Sequence, residues 1–170
     1  MSVREIVLMG DPVLRTTAEE VGAFDDDLHS LVRDLFETMY HAEGIGLAAP
    51  QIGVSTRVIV LDLHREDVDD EQLALVNPSV TWLSKETDKQ SEGCLSIPGL
   101  EDIVKRPAEV RVDAHDPDGN PVTVEAEDLL ARALQHEIDH LDGVLFLDRV
   151  SPLKRKMLLK KWKKREDGDS

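Results

Sequence analysis

Glu127-Asp128-Leu129-Leu130-Ala131-Arg132-Ala133-Leu134-Gln135-His136-Glu137-Ile138-Asp139-His140-Leu141-Asp142-Gly143 reads as one helix that stops at a glycine. At roughly 100° per residue, Leu129, Ala133, His136 and His140 fall within ~60° of arc, while Leu130, Leu134, Ile138 and Leu141 share the adjacent sector. One stripe is expected to face a core, and the other a site with a small apolar floor. His136 and His140 lie four apart on one face, so both imidazoles can reach a single metal ion, with Glu137 beside them to handle protons of a metal-held water. Glu137 sits between the two stripes and is expected half-buried, where a carboxylate's pKa rises toward a useful value. Asp139 points away from both stripes and takes a structural role.

Working outward, a second helix runs from about Asp25 to Ala42. Leu28, Leu31, Val32, Leu35, Phe36, Met39 and Tyr40 recur at three- and four-residue steps, the Asp25–Asp27 run suits its N-terminus, and Gly44 comes where it stops. Strand-like stretches cover Arg57–Asp62, Leu73–Val76, Val80–Leu83 and Ile103–Val104. Val110, Val112 and Ala114 alternate with charged residues, as do Val122 and Val124 after the turn Asp116-Pro117-Asp118-Gly119-Asn120-Pro121, which predicts an antiparallel hairpin with one wet face. A third helix is expected from Ser151-Pro152, a cap and first-turn pair. Strands between helices without regular βαβ alternation predict an α+β fold in a single domain. Residues 1–150 form its main body and 151–170 a basic helix or tail appended to it.

The chain has 170 residues, enough for one sizeable core. No apolar run approaches the ~18 residues of a membrane span, and the short apolar stretch Ile6–Met9 does not read as a secretory signal. The lone cysteine, Cys94, leaves no internal disulfide and fits a reducing compartment. Residues 1–150 hold 12 Lys+Arg against 32 Asp+Glu, and residues 151–170 hold 8 against 3. The body therefore repels nucleic acid, which argues against a DNA partner, while the tail can still find a polyanion.

Two histidines leave a catalytic metal one protein ligand short, and no histidine comes after His140. The candidates upstream are Cys94, His29, His41, His64, His115 and the carboxylates. Cys94 stands in Glu92-Gly93-Cys94-Leu95-Ser96, where a glycine allows close backbone approach and the thiolate is a strong ligand. Gly44-Ile45-Gly46-Leu47-Ala48-Ala49-Pro50-Gln51 superficially fits a dinucleotide fingerprint, but a helix precedes it and Pro50 breaks the helix that such a fingerprint needs after it. It reads instead as a small-residue backbone that can meet a peptide edge-on, with Gln51 as a nearby donor.

These three segments, in this order and spacing, resemble the three signature motifs of peptide deformylases. Val7–Arg15 and Leu141–Phe146 also resemble bacterial members, so the likeness covers nearly the whole chain. The resemblance implies antiparallel sheets packed around the metal-binding helix. It implies a divalent ion, Fe²⁺ first with Zn²⁺, Ni²⁺ or Co²⁺ as substitutes, on Cys94, His136 and His140. Glu137 would act as general acid/base toward a metal-bound hydroxide, and Gln51 with the Leu95 backbone N–H would steady the oxyanion. The substrate would be the N-formylmethionyl end of a nascent peptide, paired as a strand near Ile45, Gly46 and Gly93. Its methionine side chain would enter a pocket including Ile45, Leu129, Arg132 and Ala133, and formate would be released. A cytoplasmic location and ribosome docking through the basic C-terminal helix are implied by the same resemblance, with no membrane partner.

One departure stands out: Leu100-Glu101-Asp102 comes after Ile97-Pro98-Gly99 where many bacterial members carry an Arg. An acidic rim there is expected to favour Lys or Arg a few residues into the peptide. Two other readings use the same two-histidine helix. A zinc peptidase would need a downstream ligand the chain lacks, and a structural zinc module would close with four protein ligands.

Overall fold

The computed structural model describes residues 2–64 and 72–166. Helix α1 spans Asp26–His41, capped by the Asp25 carboxylate, which accepts from the Leu28 N–H. Strands β1 (Gly46–Ala48), β2 (Val58–Leu61), β3 (Leu73–Leu83), β4 (Thr87–Gly93), β5 (Glu101–Pro107), β6 (Glu109–His115) and β7 (Pro121–Glu127) come next, then α2 (Asp128–Leu141) and α3 (Pro152–Glu166). A five-stranded antiparallel sheet runs β1-β2-β3-β6-β7, and β4-β5 form a separate two-stranded ribbon. The expected α+β architecture, with antiparallel sheets packed around α2, is what the chain adopts.

Helix α2 leaves β7 with no intervening loop and lies on the five-stranded sheet. Its Ala131, Leu134, Ile138 and Leu141 pack among Ile59, Leu61, Leu75, Val110 and Val112. Leu134 and Leu141 are fully buried, and each such leucine contributes about 1.5–3 kcal/mol through removal from water. Leu134, Ile138 and Leu141 belong to the core stripe read from the sequence, whose fourth member, Leu130, is only partly buried against the same cluster. The opposite face of the sheet carries α1, through Leu28, Val32, Leu35 and Met39.

Three local differences from the sequence reading have physical causes. Leu73–Val76 and Val80–Leu83 are one strand, β3, because Asn77 takes a left-handed backbone (φ 51) and the pairing shifts register there without ending the strand. The Asn77 side chain replaces ladder bonds, accepting from the Val21 N–H and donating to the Val21 carbonyl, and Pro78 lies within the irregularity, where no N–H is needed. The left-handed residue that ends α1 is Glu43 (φ 58), not Gly44. Gly44 serves proximity instead: a Cβ on it would meet Leu95 Cδ1 at 2.8 Å. Strand β4 escapes a hydropathy reading because only Glu92 of Thr87–Gly93 is buried.

The expected third helix forms as α3, and it is anchored. Leu158 and Trp162 are 3% and 6% exposed, packed with Met9, Ile97, Val104, Leu145, Phe146 and Leu147. That cluster lies directly behind Cys94 and Leu100. The last four residues of the expected basic tail lie outside the described residues.

Candidate active site and metal centre

Cys94, His136 and His140 come together, as the resemblance implies. One ligand atom from each lies within 4.8 Å of the others, and Cys94 Sγ is 3.3 Å from His140 Nε2. A sulfur and two imidazoles on a partly buried, preformed triad are a donor set for a soft or borderline divalent ion. Among the described residues this is the one such grouping of His, Cys and carboxylate atoms. His29, His41, His64 and His115 take no part in it.

The rest of the site orients this triad. Glu92, facing inward from β4, accepts from His136 Nδ1 at 2.9 Å, which turns Nε2 of that ring toward the thiol side. Arg106 and Arg132 both donate to the same carboxylate. Arg106 reaches on to Asp139 at 2.9 Å, and Asp139 also holds Arg149. Burial alone would raise the Glu92 pKa, but hydrogen bonds from His136 and Arg106 bring it down to about 2, so it stays ionised. Asp139 has the structural role expected of it. Glu92 and Arg106 carry a positioning function that sequence reasoning missed. For Glu92 a signal existed, its place two residues before Cys94; an arginine alternating inward with Val104 gives none.

Glu137 is buried, 6% exposed, rather than half-buried. Strand β1 covers it, and a Cβ on Gly46 would stand 2.7 Å from its Oε2. Its Oε1 has no hydrogen-bond partner. Burial pushes its pKa up to about 7 against the opposing charge of His136, the value at which a carboxyl both takes and gives protons near neutrality. Burial likewise holds His140 well below the ordinary histidine range, in the neutral form a ligand requires. It disfavours charge on His136 too, where hydrogen bonds to Cys94 and Glu92 outweigh it and raise that group.

Cys94, His136 and Glu137 floor a cavity of about 630 Å³ lined also by Gly44, Ile45, Gly46, Gln51, Gly93, Leu95, Leu129 and Ala133. Gln51 is fixed: its Oε1 accepts from the Ala48 N–H, and its Nε2 donates to Ser96 Oγ at 3.1 Å and faces Cys94 Sγ at 3.6 Å. The Leu95 N–H has no acceptor among the described residues. Arg132 lines the cavity, but its guanidinium is taken by Glu92, Asp88 and the Val104 carbonyl. Two strand edges border the opening. β1 has a partner only on its β2 side and β4 only on its β5 side, so each leaves one ladder edge unpaired.

The polypeptide deformylase family pattern matches residues 3–156. A peptide deformylase of Brucella suis is 48% identical over 164 residues, 96% of this chain and 94% of its own length. The crystal structure of a peptide deformylase from Legionella pneumophila superposes with a TM-score of 0.90 at 45% identity, covering 99% of this chain and 98% of its own. That of the Ehrlichia chaffeensis enzyme in complex with actinonin gives 0.89 at 42% identity, covering 98% and 99%. A match of this kind, nearly end to end in both sequence and structure, admits one assignment: the chain belongs to the polypeptide deformylase family.

Proposed function

We propose that the chain removes the formyl group from the N-terminal formylmethionine of nascent peptides, releasing formate and a free amine. The observation that carries this is Glu137, buried, unpartnered and raised to about 7, beside three converging ligand atoms. Cys94, His136 and His140 would hold a divalent ion, whose chemistry when bound is to polarise a carbonyl oxygen and make water a nucleophile near neutral pH.

The chain's own residues do the rest. Glu137 accepts the proton of the attacking water and returns it to the amide nitrogen as the C–N bond breaks. The Leu95 N–H and Gln51 Nε2 face the developing oxyanion, and each such donor is worth about 3 kcal/mol. The peptide enters as a strand between the free edges of β1, at Ile45 and Gly46, and β4, at Gly93. Its methionine side chain lies against Ile45, Leu129, Ala133 and the aliphatic stem of Arg132. Close contact between Gly46 and Glu137 leaves room for a formyl hydrogen and little more.

The ligand set suits Fe²⁺ and Zn²⁺ alike, with Ni²⁺ or Co²⁺ as substitutes. Fe²⁺ is the metal we assign, with high activity under anaerobic handling, loss in air as Cys94 oxidises, and stable but lower activity with Zn²⁺. Formate release from formyl-Met-Ala-Ser by anaerobically purified protein tests the reaction. An acetylated or unblocked peptide turned over equally well defeats it in favour of a peptidase.

Residues 1–150 would form the catalytic body and 151–170 a basic appendage that docks on ribosomal RNA beside nascent chains, in the cytoplasm. The exposed faces of Lys156, Lys160, Lys161 and Lys164 support that contact. Deleting residues 153–170 would be expected from sequence to spare small-peptide turnover. Because Leu158 and Trp162 are core residues, substituting these lysines by glutamine is the cleaner test. Unchanged ribosome co-sedimentation of that variant rules the docking out.

A further inference from the structure

The mouth of the cavity carries two carboxylates, one from each wall. Glu43 stands at the end of α1 just before Ile45, and Glu101 opens β5; both line the cavity and both are exposed. Glu101 is directly opposite Gly93 in the β4–β5 ladder, so it projects from the same face as Ser91 and Gly93, both of which line the opening. The alternate face of the ribbon points inward with Glu92, Val104 and Arg106.

Neither carboxylate has an ion-pair or hydrogen-bond partner among the described residues. The charges that could neutralise them are engaged elsewhere. Arg132 is the one arginine or lysine in the lining, and Glu92 and Asp88 occupy it. Lys154 pairs with Asp102 at 3.5 Å, so Asp102 drops out of the rim expected from sequence and Glu43 takes its place. Arg165 lies against Gly99 and over the Trp162 ring. The cavity itself is built to receive a ligand, since the buried Glu137 Oε1 within it has no partner.

The backbone at Glu43 is left-handed. This residue closes α1, its N–H bonded to the Tyr40 carbonyl and that of Gly44 to the Met39 carbonyl. Glycine or asparagine suits that position better, because a Cβ costs roughly 1–2 kcal/mol there. Replacing Glu43 by glycine therefore removes the carboxylate without a backbone penalty.

We propose that Glu43 and Glu101 form an electrostatic clamp selecting nascent chains with Lys or Arg at the second or third residue after formylmethionine. This rests on the reading that the groove between β1 and β4 holds the peptide. The test is formate release from C-terminally amidated formyl-Met-Ala-Lys, formyl-Met-Ala-Ser and formyl-Met-Ala-Glu. The expected order of kcat/KM is Lys, Ser, Glu, with a Lys-to-Glu ratio of roughly tenfold at low ionic strength that shrinks toward unity near ~0.5 M salt. Glu43→Gln with Glu101→Gln should bring the ratio within twofold, and Arg165→Gln should widen it. Glu43→Gly should narrow the ratio without lowering Tm. A wild-type ratio within twofold at low salt, or one that survives the double substitution, overturns the clamp while leaving deformylation intact. Failure to release formate from all three peptides instead overturns the reading of the groove itself.

Discussion

Glu137 and Gly46 make one unit at the residue scale. The carboxyl needs burial to reach a pKa of about 7, and burial needs a backbone pressed against it, which only a residue lacking a Cβ permits. Glu137→Gln is expected to keep metal and fold while losing ~10²–10⁴-fold in turnover. A variant within tenfold of wild type contradicts the assignment. Gly46→Ala tests the same contact from the other side. Its Cβ would lie 2.7 Å from Glu137 Oε2, so the carboxyl must move, and displacement of about 1 Å costs ~10²-fold. Metal content by atomic absorption should stay unchanged in both, because Cys94, His136 and His140 are untouched. The convergence of His136 and His140 was legible in sequence because they share one helical face, and Glu137 stands next to them in the chain. The depth of Glu137 was not, because strand β1, remote from it in sequence, supplies the cover.

Elements that are regular in hydropathy were readable, and those held by charge were not. α1, α2 and the β6–β7 hairpin carry their apolar pattern on the surface of the sequence. β4 buries a single side chain, Glu92, through ion pairs, and so looks like a polar loop. The same applies to the junction around Asp148, which no periodicity marks. Its carboxylate accepts from Arg15, from Arg155 and from the Leu145 N–H, tying the 3-10 turn Pro12–Arg15 to the turn Phe146–Arg149 and to α3. Burial works to raise its pKa, but Arg15 and the Leu145 N–H bring it below the ordinary 3.8. A carboxylate with a depressed folded pKa stabilises above the unfolded value and loses that contribution as pH falls through the folded one. Asp148→Asn should therefore cost about 1–3 kcal/mol near neutral pH. The gap in Tm between the two proteins should begin to close as pH drops below ~4, where the unfolded carboxyl protonates, and should vanish below the lowered folded value. A gap that is constant down to ~pH 2.5 refutes the charge-based account.

At the scale of the whole molecule, the charge division between an acidic body and a basic end suggests an appendage, whereas packing joins the two. α3 places Leu158 and Trp162 in the cluster that backs the Cys94 loop, so its folding should be part of the same cooperative transition. The two tryptophans allow this to be read directly. Trp82 is 48% exposed on β3, and Trp162 is 6% exposed under α3. In a Trp82→Phe variant, Trp162 is the sole indole, and its emission reports α3 leaving the core while far-UV circular dichroism reports the sheets and α2. The two thermal transitions are expected to coincide. Trp162→Ala should cost about 3–5 kcal/mol, a fall in Tm of roughly 6–20 °C for a chain of this size. Trp162→Phe should cost much less, because the ring volume is largely kept and the buried Nε1, which has no partner, is removed. An emission transition that precedes the dichroic one by several degrees, with Trp162→Ala melting like wild type, would make α3 the loosely held appendage that its charge suggests. Coincident transitions make it the rear wall of the Cys94 loop, with its lysines exposed on the outer face.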